Sequence, residues 1–491
     1  MRRLSHYVSG APQRPARSSR VRQTLRCLTN QTAASCLLAL VVGLCGCGAA
    51  VRGAASGGKT FRNSGVFYAG RHGPLNKQET VWAQVAWKYV QGNTNVQTGL
   101  VNGVDGESRA SMWDVADYLA ALLAARRFKL VDEKEFDERL SKLLDTLNLM
   151  PLVGEALPNR LYDTKTRLPV NDLGNATTGS WSALDVGRLL LWLRITRQRV
   201  PEFSEYIDRV VLRWDVCAAL DEGGNLMRGD VSASGIKRSN YPRLGYQQYA
   251  ATGFESWGFN ARGGLEFAPS ERVKLFGVDL LRDARDERIT GNLAPIVSLP
   301  SLLSGLELAW TRPGDEPNAS KRSFRARSAD LARKTYRVQE LRYQREKIIT
   351  ARSDHRIGVS PSYVVDSIFV QGYPWNTVSP TGDPLPWQAL VATQVVFPTR
   401  VLWKTHYANV LTQNVDHLYQ ADKGWYEGRL ERTGGYERLM SLRTNAMVLE
   451  SLFYQLDGKI YHPEDTAGLF ELWTRDPYKP RHECLKPDGR K

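Results

Sequence analysis

The sequence predicts an all-α protein, with one large helical domain and long loops, and three observations support this. Apolar residues recur at helical spacing through most of residues 74–468. Long stretches rich in glycine, proline and asparagine separate the periodic segments. Two of the helices also begin with the same capping pattern. Helices of this kind bury their apolar faces against one another, so the loops are left to build a site at one face of the domain.

Eight segments carry the helical pattern. They are Glu79–Gln91, Met112–Phe128, Glu133–Leu149, Ala183–Thr196, Pro201–Leu220, Arg325–Thr350, Ala389–Tyr419 and Leu442–Leu456. We expect Pro398 to break or kink the segment that contains it, because proline lacks the backbone donor that a helix interior uses.

Loop-forming residues dominate four stretches between the helices, which are 150–180, 221–243, 286–300 and 354–388. Strand-like pieces occur within or beside them, at Arg160–Asp163, Asn225–Arg228 and Ser362–Val370. These pieces predict a few short β-hairpins at one end of the domain.

Two of the helix starts are similar to each other. Ser111 and Asp114 open one apolar helix, and Ser182 and Asp185 open another 71 residues later. In this pattern the hydroxyl satisfies a free amide at the helix start, and the acid suits the positive end of the helix dipole. The spacing indicates a repetitive build of about two helical hairpins.

The first 46 residues have the layout of an export signal. Met1–Gly46 contains no Asp or Glu and carries seven arginines ahead of the apolar run Ala34–Leu44. That run is too short to span a bilayer as a permanent helix of about 20 residues. We therefore expect the signal to be removed.

The segment that follows the apolar run, Leu44–Cys47, resembles the bacterial lipobox, in which small residues precede a cysteine that becomes lipidated. We expect a lipid on Cys47, a flexible tether over 47–73 and a basic C-terminal tail over 469–491. The protein would then be a membrane-anchored lipoprotein of the cell envelope, periplasmic and held at the outer membrane. The alternative is an ordinary cleaved signal with incidental cysteines.

The net charge indicates which partners to expect, and the cysteines indicate the possible bonding states. The formal net charge falls from +15 to about +8 when the seven leader arginines are removed, and this balance suits contact with anionic envelope polymers or lipid head groups. No recognised binding module accompanies it, so nucleic acid is not an expected partner. Cys217 and Cys484 could form one disulfide in an oxidising compartment or remain buried thiols.

Motifs that are spread along the chain form a set. They are Trp82, Trp87–Tyr89, Thr98–Val101, Met112–Val115, Leu244–Tyr249, Trp257–Gly258, Tyr373–Trp375, Gly424–Gly428, Thr444–Ala446 and Leu449–Glu450. Together they resemble an uncharacterised bacterial domain family that is similar to the glucoamylase-like domain of cyclic beta-glucan synthases. The resemblance covers nearly all of the mature chain. It implies an α/α six-hairpin toroid of inner and outer helices, with a carbohydrate cleft at one end and an unassigned substrate.

One stretch departs from the family pattern. The family often has a more acidic sequence where this chain has Tyr246–Tyr249. If an acid there is catalytic in relatives, this copy would be impaired.

Glycoside hydrolysis needs two carboxyl groups: one protonates the leaving oxygen, and the other activates water or attacks the sugar. Aromatic rings then stack on sugar faces and exclude water. The chain has 13 Trp and 20 Tyr, and many of them lie beside acids in the loops. This pairing is the main indication of sugar chemistry that comes from the residues alone.

Four acids are candidate catalytic residues. Glu427 is the strongest, because a glycine-flanked loop places it beside two aromatic rings, where desolvation can raise the pKa of a carboxyl. Asp114 follows a tryptophan at a helix start, Glu107 comes just before the same helix, and Glu255 lies among aromatics and glycines. The competing interpretations are a capping role for Asp114 and ordinary loop or surface acids for the others.

The candidate substrate-binding residues are one acid and six aromatic residues: Asp185, Trp113, Trp257, Tyr373, Trp375, Trp425 and Tyr426. Capping is the competing explanation for the acid, and core packing is the competing explanation for the aromatic residues.

Other chemistries find no support in the sequence. The seven histidines are scattered, and there is no serine-nucleophile elbow, phosphate-cradling glycine loop or dinucleotide fingerprint. We therefore expect no metal and no cofactor, and we predict a glycoside hydrolase or transglycosylase that acts on a polysaccharide or oligosaccharide through carboxylates. A non-catalytic polysaccharide-binding lipoprotein and a structural scaffold are the alternatives, and the oligomeric state is open.

Overall fold

Helices make up most of the structure, a computed structural model that describes residues 70–267, 269–312, 323–358, 363–462, 467–476 and 483–485. These residues belong to one compact unit, Ser64–Lys491. The expected signal peptide 1–46, the lipidation site Cys47 and most of the tether 47–73 lie outside the described residues.

Twelve helices of seven or more residues occur in these ranges. They are α1 (Lys77–Asn93), α2 (Met112–Arg127), α3 (Glu133–Leu149), α4 (Ala183–Arg199), α5 (Ser204–Leu212), α6 (Tyr246–Ser256), α7 (Leu299–Leu308), α8 (Phe324–Glu346), α9 (Thr393–Leu402), α10 (His406–Val415), α11 (Leu442–Asp457) and α12 (Leu469–Arg475). Single helical turns are present at Pro201–Phe203, Val216–Ala219, Arg262–Leu265, Glu287–Thr290 and Pro386–Gln388.

The strands are short and pair only in antiparallel sheets of two or three. They are β1 (Arg109–Ser111), β2 (Leu152–Val153), β3 (Leu157–Pro158), β4 (Leu161–Asp163), β5 (Ser180–Trp181), β6 (Met227–Ser232), β7 (Gly235–Asn240), β8 (Ser270–Leu275), β9 (Val278–Asp283), β10 (His355–Arg356), β11 (Tyr363–Asp366), β12 (Phe369–Val370), β13 (Tyr373–Pro374), β14 (Thr377–Val378), β15 (Leu390–Ala392), β16 (Tyr419–Gln420), β17 (Gly424–Trp425), β18 (Gly428–Leu430) and β19 (Tyr436–Glu437). The sheets are β1-β4, β2-β3, β5-β6-β7, β8-β9, β10-β11-β14, β12-β13, β15-β18-β19 and β16-β17.

Six helices form a closed ring. In the order α2, α4, α6, α7, α9 and α11, each packs against the next, and α11 packs against α2. Nearly every residue of α2 and α4 is buried, including the charged Asp117 and Arg188, so each helix has neighbours on nearly all sides.

Five further helices, α1, α3, α5, α8 and α10, pack outside the ring, and each precedes a ring helix along the chain. Helix α3 is an amphipathic outer helix, with apolar side chains on one face and charged side chains on the other. The ring helix α7 differs, since the hairpin β8-β9 precedes it where the pattern would place an outer helix.

The short sheets lie where ring helices begin. Strand β1 runs directly into α2, β15 runs directly into α9, and β5 ends one residue before α4. The register pairs Ser111 of β1 with Leu161 of β4. Loops and hairpins therefore gather at the end of the ring where these helices start.

Most predicted helices are confirmed, but two ring helices lie in segments with no predicted helix. Helix α6 contains Gly253 and several polar residues, and α7 contains Pro300 within its first turn, so neither has a clean amphipathic pattern. Both are short and buried along their whole length. Packing against ring neighbours, rather than local preference, stabilises them.

Two predicted helices are shorter than expected. The segment 389–419 divides into β15, α9 and α10, and Pro398 lies inside α9 without ending it. The segment 201–220 contains only one α-helix, α5, between two single turns. The expected basic tail begins instead as a helix, α12, because Phe470 is buried against Trp257 and Glu471 pairs with Arg197.

One guanidinium lies buried at the centre of the ring. Arg188 of α4 contacts Asp117 of α2 at 2.6 Å, Glu307 of α7 at 2.8 Å and Glu450 of α11 at 3.4 Å. It also donates to the hydroxyl of Tyr249 on α6 at 2.5 Å. Burial raises the pKa of Glu450 well above its usual value, and the charge of Glu307 raises it further. One cation thus joins five of the six ring helices.

We expect Arg188→Met to destabilise the fold by about 3–5 kcal/mol, because it leaves buried carboxylates without their cation. Urea unfolding followed by circular dichroism measures the loss. The matched control is Arg209→Met on the outer helix α5, whose guanidinium is 59% exposed in its pair with Glu205. That change should cost less than about 1 kcal/mol. Equal effects of the two substitutions would contradict the role given to Arg188.

A disulfide joins Cys217 to Cys484 across 267 residues. It fastens the end of the chain beside α6, where the amide of Asn260 donates to the carbonyl of Cys484 at 2.7 Å. Of the two alternatives for these cysteines, the structure has the bonded one.

Reduction of this disulfide should lower the free energy of unfolding by about 2–4 kcal/mol, because the unfolded chain regains the freedom of a very long loop. Thermal unfolding with and without dithiothreitol measures the change. The double variant Cys217→Ser/Cys484→Ser should show the same loss and no further response to the reductant. An unchanged melting temperature in protein whose two thiols are shown to be free would refute this expectation.

Candidate functional site

A cleft of about 450 Å³ opens at the end of the ring where the sheets gather. Its size is within the range of small-molecule and cofactor sites. Its walls come from the first turns of α2, α4, α6 and α11 and from the loops between them. The lining residues are Val104, Glu107, Arg109, Ser111, Trp113, Arg160, Leu161, Asp172, Ser182, Leu184, Asp185, Tyr241, Arg243, Tyr246, Arg356, Ile357, Tyr363, Pro380, Leu439 and Arg443.

Asp185 is a carboxyl of the cleft whose pKa is raised. Burial raises its pKa to about 6, although the charges of Arg160 and Arg443 and a hydrogen bond with Ser182 oppose the rise. Its position follows from the predicted cap, since the amide of Asp185 donates to the hydroxyl of Ser182 at 3.3 Å at the start of α4. No cation of the described chain forms an ion pair with this carboxyl.

Two ion pairs stand on another part of the wall. Arg109 pairs with Glu107 at 2.5 Å, and Arg160 pairs with Asp172 at 2.6 Å. The side chains of Glu107 and Asp172 are 41% and 72% exposed. Both acids are therefore accessible to solvent and lie beside a fixed positive charge.

The indole of Trp113 lies between two guanidinium groups. Arg443 is 5.2 Å from the ring centroid, and the buried Arg188 is 5.0 Å from it. The ring of Tyr246 packs edge-on against the indole at 5.7 Å. The ring core and the cleft floor are thus in direct contact through one tryptophan.

Buried carboxylates hold two further cleft arginines in place. Arg243 donates to Asp354 at 2.8 Å, and Arg356 donates to Asp114 at 3.3 Å. Asp354 also accepts from the hydroxyl of Tyr246 at 3.3 Å. Neither carboxylate lines the cleft, so the guanidinium groups stand between these charges and the opening.

Asp114 has the predicted capping geometry. Its carboxylate accepts from the amide of Ser111 at 2.8 Å and from the hydroxyl of the same residue at 2.7 Å. Gly103 packs so closely over it that a Cβ there would lie 2.6 Å from the Oδ2 atom. Asp114 is therefore a helix cap below the cleft, beside Trp113 and Arg356.

Glu427 lies behind the cleft and does not line it. Its side chain is 1% exposed, and its Oε1 atom accepts from the hydroxyls of Ser441 and Thr444, the latter at 2.7 Å. Ser441 caps α11. The glycine-flanked loop that suggested a catalytic acid instead buries this carboxylate against the start of a helix.

Glu255 and Trp257 lie away from the cleft, at the far end of α6. Glu255 is 8% exposed, and its Oε1 atom accepts from the amide of Ala261 at 3.0 Å. The indole of Trp257 donates to the carbonyl of Leu190 at 2.8 Å and packs against Phe470. Their sequence neighbourhood resembled a site because glycines and aromatics also build tight core packing.

The other aromatic candidates also lie off the cleft. Trp425 is fully buried and packs edge-on against Phe397, and Tyr426 beside it is half-buried. The hairpin β12-β13 carries Tyr373, which is 67% exposed. The ring of Trp375, just after that hairpin, lies 4.4 Å below the guanidinium of Arg342. Of the predicted site residues, the cleft brings together Glu107, Trp113 and Asp185.

Sequence reasoning missed the cleft arginines and tyrosines. The lining residues without an earlier assignment that carry charge or a ring are Arg109, Arg160, Asp172, Tyr241, Arg243, Tyr246, Arg356, Tyr363 and Arg443. They come from separate loops and helix starts, and only the fold brings them together. A signal existed for Arg443, which lies two residues after the helix cap Ser441, as Trp113 lies two residues after the cap Ser111.

Within the described ranges, no group of three or more His, Cys, Asp and Glu side chains is arranged to hold a metal ion. No helix in the part of the chain that the structure covers has the length and apolar character needed to cross a membrane.

The fold is similar to those of several solved proteins. A "putative glucoamylase" from Bacteroides caccae matches with a TM-score of 0.54 and 14% identity, over 82% of this chain and 95% of that chain. An endo-beta-1,2-glucanase from Chitinophaga pinensis matches with a TM-score of 0.52 and 12% identity, over 82% and 96%. One from Talaromyces funiculosus, solved with beta-1,2-glucan, matches at 0.50 and 11%, over 78% and 84%.

At these identities the likeness shows a shared glucoamylase-like fold. A comparison with curated proteins finds no match. Residues 81–458 match a family described as "Protein of unknown function (DUF3131)". This match covers most of the chain and nearly all of the ring, so the chain belongs to the DUF3131 family.

Proposed function

We propose that this protein is a glycoside hydrolase of the cell envelope, in which Asp185 acts as the general acid that protonates the leaving oxygen of a polysaccharide. The observation that carries the proposal is a cleft-lining carboxyl whose pKa is raised to about 6. A general acid works best when its pKa lies near the working pH, and raised carboxyl pKa values of this size are typical of that role.

The second carboxyl that glycoside hydrolysis requires is assigned to Glu107. It lines the same cleft and is accessible to solvent. Its ion pair with Arg109 at 2.5 Å holds this carboxylate at the cleft wall, where a base or nucleophile would act. Asp185 and Glu107 thus provide two carboxyl groups on a shared cleft, which is the number that the reaction uses.

The proposal includes a carbohydrate polymer as the ligand and a toroid as the architecture. Solved proteins with this fold include endo-beta-1,2-glucanases, and the rings of Trp113, Tyr241, Tyr246 and Tyr363 give the cleft apolar surfaces on which a sugar can rest. We interpret the ring as a six-hairpin toroid in which the hairpin β8-β9 replaces the fourth outer helix.

Export and anchoring are proposed from the sequence. The expected lipid on Cys47 would tether the domain in the periplasm, at the outer membrane. The Cys217–Cys484 disulfide supports an oxidising compartment, where such bonds persist. The predicted partners are therefore a polysaccharide or oligosaccharide and, through the anchor, a membrane.

A non-catalytic polysaccharide-binding role is the second candidate. The observation that favours it is the pairing of Glu107 with Arg109 and of Asp172 with Arg160, which engages both carboxylates in ion pairs. Glu427 gives no support to catalysis, because it is enclosed behind the cleft. In this alternative the domain would hold the polymer during its export or assembly without cutting it.

Asp185→Asn should lower kcat by at least about 100-fold, because the amide has no proton to donate. The assay incubates purified mature protein with a panel of envelope glucans and exopolysaccharides and measures reducing ends. For the wild type, kcat/KM should fall about tenfold per pH unit above pH 6, as Asp185 loses the proton that a general acid must carry.

The matched control is Asp137→Asn, which removes an exposed carboxyl on the outer helix α3 and should leave activity unchanged. Glu107→Gln should lower kcat without removing the pH dependence above pH 6. Wild-type activity in Asp185→Asn would overturn the assignment, and so would a flat pH profile between pH 5 and 8. Absence of product from every glycan, with retained binding, would favour the non-catalytic role.

A further inference from the structure

The polar lining of the cleft has an unusual composition. Five arginines line it, and in the described lining there is no Asn, Gln, Lys or His. The arginines are Arg109, Arg160, Arg243, Arg356 and Arg443. Arginine presents a planar fork of donors that matches the paired oxygens of a carboxylate or of a phosphate or sulfate group.

Three of these arginines converge from distant parts of the chain. Arg243 lies three residues before α6, Arg356 lies in β10, and Arg443 lies in the first turn of α11. Two of them are anchored from behind, since Asp354 and Asp114 are 0% and 1% exposed and do not line the cleft. A guanidinium has five N–H donors, so a single anchoring contact leaves donors available on the open side.

Arg443 has the least compensated charge. The nearest carboxylate oxygen is that of Asp117, 3.9 Å from its Nε atom and too distant for a hydrogen bond. The Nε atom is buried and has no hydrogen-bond partner in the described structure. The side chain lies over the Trp113 ring and is 14% exposed. A guanidinium in this setting gains most from an anion that enters the cleft.

The ring helices add to the positive electrostatic potential of the cleft. The lining residues Trp113, Asp185, Tyr246 and Arg443 all belong to first turns of helices, so four positive helix ends border the cleft. Three acids oppose the five arginines in the lining, and two of them, Glu107 and Asp172, are already paired at the rim.

We propose that the glycan bound in this cleft is anionic, with an oxyanion substituent on a sugar seated against Arg243, Arg356 and Arg443. Such a substituent is the carboxylate of a uronic acid or an ester sulfate. The inference rests on the proposed carbohydrate function and specifies its substrate class, since a neutral glucan would leave these donors without a charged partner.

Isothermal titration of the purified mature chain tests this with three oligosaccharides of matched length: an oligoglucuronate, a sulfated gluco-oligosaccharide and a neutral β-1,2-gluco-oligosaccharide. At least one anionic probe should bind at least about tenfold more tightly than the neutral one, because hydrogen bonds between guanidinium groups and an oxyanion are stronger than those to neutral hydroxyls. Comparison of the two anionic probes identifies the source of the oxyanion. The preference should weaken as salt is raised.

Arg443→Met and Arg356→Met should each weaken binding of the preferred anionic probe at least about tenfold more than they weaken binding of the neutral probe. Arg443→Lys should recover part of the loss, because it restores the charge without the planar fork. Arg209→Met on α5 is the matched control and should have no effect. Circular dichroism of each variant shows that the fold is retained, and if Arg443→Met unfolds, the more exposed Arg356→Met gives the result.

Equal or tighter binding of the neutral probe would overturn the anionic assignment, and so would unchanged affinity of Arg356→Met for the anionic probes. The proposed catalysis is read separately. An anionic glycan that binds without cleavage supports the substrate class and counts against hydrolysis. Cleavage of the neutral probe, lost in Asp185→Asn, with no binding of the anionic probes, supports hydrolysis and overturns the substrate class.

Discussion

The buried guanidinium of Arg188 is the contact on which the rest of the structure depends. Through Asp117, Tyr249, Glu307 and Glu450 it joins five of the six ring helices at one point. A charge without exposure to water is stable only when partners surround it, so the helices have one favourable arrangement around this cation. The same guanidinium lies below the indole that lines the cleft, and the geometry of the site therefore follows from that of the core.

The cleft contains similar pairs of arginines and buried carboxylates. The carboxylates of Asp114 and Asp354 lie beneath the arginines, and the guanidinium groups face the opening. Asp185 differs from these acids because burial raises its pKa to about 6 and no ion pair holds its charge. In its protonated form this carboxyl can donate a proton to a bound polymer, and the nearby arginines can orient that polymer. The proposed proton donor and the arginines proposed to select the substrate are thus different residues of the same cleft.

The sequence predicted many of the helices but few of the residues that line the cleft. Local patterns located α2 and α4, and they placed Trp113 and Asp185 correctly at helix starts, because capping depends on residues three positions apart. Helices α6 and α7 were missed because packing within the ring, rather than local preference, stabilises them. The arginines were missed for a related reason, since only tertiary structure brings β10 and the start of α11 to one cleft.

The emphasis on Glu427 shows a general difficulty with sequence-based site prediction. An acid among glycines and aromatic residues is the pattern of an active-site loop and also of a carboxylate buried against a helix cap, and the sequence alone does not separate the two. Here the hydroxyls of Ser441 and Thr444 enclose the carboxylate. The capping pattern is a complete local explanation of Asp185, yet a residue in the first turn of a ring helix can both take part in the cap and face the cleft.

The most direct test of this account is the pKa of Asp185 itself, measured from the carboxyl carbon chemical shift of aspartate-labelled protein across a pH titration. Comparison with Asp185→Asn assigns the signal. We expect a midpoint of about 6. A midpoint near 4, the ordinary value for an exposed aspartate, would contradict the central claim that burial raises the pKa of this carboxyl into the range of a general acid.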